Sequence, residues 1–173
     1  MVIDIKKTFS ESLYTIHLLQ YHSMIVHQKE ALRTDETLQV YGQAKWAIVD
    51  LLNEQYSTIL TSKFDLYNWL HENQEDEVSY FLNEAGSNCL CYSEFKAPSQ
   101  FHLWLGKKGF IIGIEQQGKG FNAQEVEERK IKNNKGAAFI FFRRCRGRIF
   151  FDNPQDTKIV YLEVKFRELH RKQ

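Results

Sequence analysis

The sequence predicts an α/β (α+β) two-layer sandwich: a mixed, largely antiparallel sheet covered on one face by helices, with an N-terminal helical extension. Three observations carry this. Before about residue 95 the apolar residues recur at helical spacing. Beyond it they alternate or run continuously, as strands do. Near the end, RIFFD and KIVYLEVKF stand on either side of Asn153-Pro154, as two antiparallel strands joined by a turn.

Residues 2–5 read as a short opening strand. Leu13, Ile16, Leu19 and Met24 then recur three to five apart, and Leu38, Tyr41, Ile48, Leu51 and Leu52 form a second helical run. Between them RTDET, residues 33–37, offers threonine and aspartate for a turn and a helix N-cap. Leu66, Trp69 and Leu70 make a third, shorter pattern after Thr61-Ser62. From residue 101 the period becomes two: Phe101, Leu103 and Leu105 alternate with His102 and Trp104, and Lys107-Lys108-Gly109 turns the chain. Phe110 to Ile114 is apolar throughout, as a strand buried on both faces is. Residues 122–135 are almost wholly polar and read as a loop or lid. Gly136 to Cys145 returns to a helical pattern that Gly147 stops, and the two closing strands complete a sheet over residues 101–166.

The composition narrows the classes of function. A hydrophobic fraction of 43% with 26% charged residues describes a folded globular chain. With 23 basic and 22 acidic residues the net charge is +1, so no overall field draws in nucleic acid or an anionic membrane. No apolar run reaches the length of about 18 residues that a spanning helix needs. The N-terminal MVIDIKKTF lacks an apolar signal core, which predicts a cytoplasmic protein. Cys89, Cys91 and Cys145 cannot all pair, the first two stand too close for an ordinary disulfide, and no second pair has zinc-finger spacing. They read as reduced thiols in or near a core. His17, His22 and His27 recur every five residues, which on a helix turns successive side chains by about 140° and prevents a metal cluster.

The segment EVSYFLNEAGSNCLCYS, residues 77–93, carries the chemistry. At about 100° per residue, Val78, Phe81, Leu82, Ala85, Cys89 and Tyr92 gather on one buried stripe. Glu84 and Asn88, four apart, lie side by side at its edge. A carboxylate placed there can accept a proton from a nucleophile, and an amide oxygen can hold a hard cation such as Mg²⁺. The plain alternative is two solvated polar groups on a helix.

NEAGSN followed by Tyr92 resembles the N-box of the GHKL (Bergerat-fold) ATPases, the family of gyrase B, MutL, histidine kinases and anti-sigma serine kinases. IEQQGKGF, residues 114–121, is similar to the family's next motif, a strand running into D-x-G-x-G-F, and KGAAF, residues 135–139, resembles its third, glycine-rich motif. The motifs stand in the family's order over roughly residues 74–166. The resemblance implies ATP and Mg²⁺ as cofactors, with Glu84 as general base and Asn88 as metal ligand. It also implies that Gln116, Gly118, Gly120 and Phe121 line the nucleotide, that Lys135, Gly136 and Ala137 stand at the phosphates, and that residues 122–135 form the lid. Glycines at 118 and 120 would let backbone approach the ligand.

Two positions depart from the family. Gln116 replaces the adenine-reading aspartate, and loss of that charge removes about 1–3 kcal/mol of binding. The third motif reads G-A-A rather than G-x-G, a tighter cradle for phosphate. Three outcomes stay open: a working ATPase, a weak binder, or a fold kept without its ligand.

One function class is therefore an ATP- and Mg²⁺-binding regulatory protein of the serine- or histidine-kinase type, with a protein partner. The other is a non-catalytic interaction or scaffold protein that keeps the fold. A further variant makes an N-terminal helical hairpin a phosphotransfer element with His17, His22 or His27 as acceptor, although no acidic residue directly follows any of them. Residues 1–72 are expected to form a helical segment on a core of residues 73–173. Two long helices within residues 8–60 carry more apolar positions than one face needs, Trp46 and Met24 among them. That surplus offers a homodimer surface, or it is buried against the chain's own sheet. The basic RRCRGR, residues 143–148, reads as cations at a helix end.

Overall fold

Thr8 opens the first element. Its hydroxyl accepts from Glu11 N at 3.3 Å while the Glu11 carboxylate accepts from Thr8 N at 2.8 Å, a reciprocal cap for α1, Phe9–Ile16. His17 then adopts a left-handed φ of 55°, which ends the helix, and Leu18–Ile25 runs on as β1. The helical spacing expected through Leu19 and Met24 thus stops at Ile16, because pairing along the neighbouring strand outweighs a weak local period. The computed structural model describes residues 4–27, 34–67, 76–132 and 145–169, with the side chains of 130, 131, 168 and 169 excepted. Of the opening strand expected at residues 2–5, residues 2 and 3 lie outside that set; Asp4 has no strand assignment and Ile5 lies in a turn.

α2, Asp35–Gln55, starts where RTDET predicts, with the Thr34 hydroxyl accepting from Thr37 N at 3.1 Å. It is the one long helix within residues 8–60 among the described residues, where two were expected. Next comes α3, Glu77–Tyr92, followed by β2, Gln100–Gly106, and β3, Gly109–Glu115. The expected lid contains a helix, α4, Ala123–Lys132. AQEVEERKIK is rich in strong helix formers, and Asn122 Oδ1 accepts from Glu125 N at 3.1 Å, so propensity and a cap suffice without an apolar stripe. β4, Arg148–Phe151, and β5, Ile159–Lys165, are the two closing strands, and α5, Phe166–Leu169, follows. The helix expected over Gly136–Cys145 lies outside the described residues except for Cys145, which is not helical. Trp69 and Leu70 also lie outside them.

The strands form one five-stranded antiparallel sheet in the order β1-β2-β3-β5-β4. The N-terminal segment is therefore not wholly helical: β1 extends the sheet beyond the expected residues 101–166. Alternation along each strand sorts the two faces. The inner face sets Phe101, Leu103, Phe110, Ile112, Leu162 and Val164 against Ile48 and Leu52 of α2 and Phe81 and Leu82 of α3. This is the two-layer sandwich. On the outer face α1 packs Phe9, Leu13 and Ile16 against Trp104, Ile111, Phe150 and Tyr161. Buried Glu163 of β5 anchors that helix, taking a hydrogen bond from Ser12 Oγ at 3.1 Å and ion pairs with Lys7 at 3.1 Å and Lys165 at 3.5 Å.

Trp46 and Met24 are partly buried against the inner core. His22 lies on β1 and His27 is buried beside Ala97 O, so His17, His22 and His27 share no helical hairpin. Cys89 and Cys145 are buried, Cys91 is exposed, and all three are free thiols. Among the described residues no helix is long and apolar enough to cross a membrane.

Candidate functional site

Asp76 caps α3, accepting from Ser79 N at 3.0 Å and from Ser79 Oγ at 2.8 Å. In the first turn the buried Glu77 carboxylate accepts from Gly147 N at 2.8 Å, from Arg146 Nε at 3.2 Å and from Arg146 N. That contact fixes the chain as it enters β4. It also corrects the reading of RRCRGR for two of its arginines: Arg146 binds Glu77 and Arg148 begins β4, so neither ends a helix. Val78, Phe81, Leu82, Ala85 and Cys89 form the buried stripe, but Tyr92 is exposed at the helix end. Gly86 gives α2 its approach: a side chain there would strike the ring of Tyr41, whose hydroxyl donates to Leu82 O at 3.2 Å.

Glu84 and Asn88 sit one turn apart on α3, both half-buried. Among the described residues neither side chain has a hydrogen-bond partner within the chain. Burial alone holds the Glu84 carboxyl above its ordinary value. Nearby on α2, Lys45 donates to Asn83 Oδ1 at 2.7 Å, and burial lowers its ammonium pKa.

The loop after β3 is held from two sides. Gln116 is buried, with its N donating to Lys158 O at 2.9 Å and its Nε2 to Lys119 O at 3.1 Å. Phe121 and Thr157 exchange backbone hydrogen bonds at 3.2 and 2.8 Å, which ties the loop to the β4–β5 connection. On the other side Glu94, just past α3, accepts from Lys119 N at 2.8 Å. Gly118 has φ 81°, and a Cβ there would collide with the Glu94 carboxylate and come within 2.9 Å of Phe95. Gly120 is pressed against Asp156 and the Thr157 carbonyl. Both glycines thus serve contacts within the chain.

The structure therefore joins the loop of Gln116, Gly118, Gly120 and Phe121 to the end of the helix that carries Glu84 and Asn88. Lys135, Gly136 and Ala137 lie outside the described residues. Gln116 donates its amide nitrogen to Lys119 O, which leaves Oε1 as the atom for the acceptor role implied for it. Glu94, which holds one side of the loop, was not legible: its partner is 25 residues away and no local pattern marks it.

The oxygen donor at Asn88 fits Mg²⁺, which takes few protein ligands and completes its shell with water and phosphate oxygens. Among the described residues there is no group of three or more His, Cys, Asp or Glu side chains suited to a metal on their own. Comparison with protein-family models, curated proteins and solved structures finds no match.

Proposed function

We propose that the chain binds an adenine nucleotide with Mg²⁺ between α3 and the Gln116–Phe121 loop, as a regulatory ATPase or kinase of the GHKL type. The observation that supports this most is the pair on α3: a half-buried carboxylate and a half-buried amide, one turn apart, with no hydrogen-bond partner among the described residues. Burial that disfavours the Glu84 anion makes it a better proton acceptor, as a general base requires. Asn88 would hold the cation through its amide oxygen, and Lys135 to Ala137 would face the phosphates. Bound Mg²⁺ would offset phosphate charge; the chain's own residues position the nucleotide and take up the proton.

Calorimetric titration with a non-hydrolysable ATP analogue, with and without Mg²⁺, tests the reading. Asn88→Ala should abolish the Mg²⁺-dependent part of binding. Glu84→Ala should bind but lose hydrolysis or phosphoryl transfer. Gln116→Asp, checked for folding by its melt, should bind about 10- to 100-fold tighter. Absence of binding in both wild type and Gln116→Asp at millimolar nucleotide overturns it.

A second reading, an interaction protein that keeps the fold, draws on Glu94. Its carboxylate already fills the Lys119 N–H that an anionic ligand would seek. Exposed apolar side chains also gather where α1 meets β1, at Tyr14, Leu18 and Leu19. A second copy of the chain is the partner proposed for that corner, and sedimentation showing only monomer at high micromolar concentration would count against it.

A further inference from the structure

Tyr21 of β1, His102 of β2 and Glu115 of β3 form a diagonal across the outer face of the sheet, the face opposite α3. The Tyr21 hydroxyl lies 2.7 Å from His102 Nδ1, and His102 Nε2 lies 2.8 Å from Glu115 Oε2. A carboxylate only accepts, so Nε2 donates to it, and in the neutral imidazole Nδ1 then accepts from the phenol. The imidazole is buried and held in plane. Trp104 packs 5.3 Å from its ring and 5.2 Å from that of Tyr21, tilted by only 16° and 24°. Gly113 pairs with His102 across β2 and β3, and a Cβ there would press on Trp104 at 3.1 Å and Tyr161 at 3.2 Å. The phenol end remains open: Tyr21 is 49% exposed, and Ser23 and Ile25 on the same face are exposed beside it.

Carboxylate, imidazole and hydroxyl in this order and at these distances match the arrangement that activates a nucleophile. We propose that Tyr21 is a nucleophilic tyrosine that takes an acyl group from a small uncharged activated ester. The phenol oxygen attacks the carbonyl carbon and its proton passes to His102 Nδ1, with Glu115 stabilising the imidazolium. The bond to the leaving oxygen breaks with its electron pair, and the imidazolium protonates that oxygen, leaving an aryl ester on Tyr21. Water then attacks the ester carbonyl with His102 as base, which restores the phenol and releases the acid. Charge selects the substrate class. β1 carries no charged residue from Leu18 to Ile25 and Glu115 is acidic, so an anionic phosphoryl donor would meet a carboxylate with no cation on that strand to offset it. Exposed Ile25 favours an apolar acyl or aryl group.

The experiment treats the full chain with p-nitrophenyl acetate, following p-nitrophenolate release and mapping acetylated tyrosines by peptide mass spectrometry. Tyr21 should be acetylated first, ahead of Tyr14, Tyr67 and Tyr92, which are more exposed at 84%, 67% and 76%. His102→Gln should slow acetylation at Tyr21 by about 100-fold or more, the usual worth of a positioned base. Glu115→Gln should slow it comparably, because an amide nitrogen donating to Nε2 moves the ring proton to Nδ1 and removes the acceptor. Acetylation that follows exposure, with Tyr14 leading, overturns the proposal, and this ranking needs no variant to fold. So does a Tyr21 rate unchanged in both variants.

Discussion

Replacing Gly118 by alanine tests whether the loop after β3 is held as the structure places it. At φ 81° an L-residue pays about 1–2 kcal/mol in backbone strain. The new Cβ also collides with the Glu94 carboxylate, which must leave Lys119 N and give up a solvent-exposed hydrogen bond of about 1 kcal/mol. Reduced freedom of the unfolded chain returns about 0.4–1 kcal/mol. The expected loss is about 2 kcal/mol, a fall in Tm of about 4–8 °C for a chain of this size. Glu94→Ala removes both the obstacle and the bond. In that background Gly118→Ala should cost about 1 kcal/mol less, and the difference measures the coupling. Urea unfolding followed by tryptophan fluorescence reads all four species of the cycle. A Gly118→Ala chain within 0.5 kcal/mol of wild type, or two costs that simply add, would refute the reasoning.

Two more measurements follow from burial. A raised folded-state pKa at Glu84 means the folded chain holds the proton more tightly; the stability this contributes is present below the ordinary carboxylate pKa and is lost as pH rises through the raised value. Glu84→Gln should therefore melt above wild type near pH 7, with the gap closing as pH falls into the ordinary glutamate range near about 4; an equal offset at both ends would contradict it. Burial pushes the Cys89 thiol up to about 12 and raises that of Cys145 as well, while Cys91 is exposed. A thiol reagent at mild alkaline pH should count one prompt thiol in the folded chain and three in urea, and a second prompt thiol under native conditions would show that the core around them opens.

Much of the scaffold is written locally. Thr34 as cap and the run from Leu38 to Leu52 are sufficient for α2, and the stripe from Val78 to Cys89 for α3, because helix periodicity and capping involve residues only a few positions apart. The alternation of Phe101, Leu103 and Leu105, the apolar run from Phe110 and the two closing segments mark β2 to β5 for the same reason. The adjacency of Glu84 and Asn88 also follows from helix geometry alone. α4 was written locally too, but in propensity rather than in an apolar stripe, so a reading by hydrophobic period took it for a loop. Tertiary pairing decided the rest. Residues 18–25 continue a weak helical spacing, and hydrogen bonding to β2 selected the strand. Glu94 reaches Lys119 across 25 residues, Tyr21 reaches His102 across 81, and His102 reaches Glu115 across 13. Such contacts depend on strand register and on which face each side chain takes, and those are settled only when the sheet assembles.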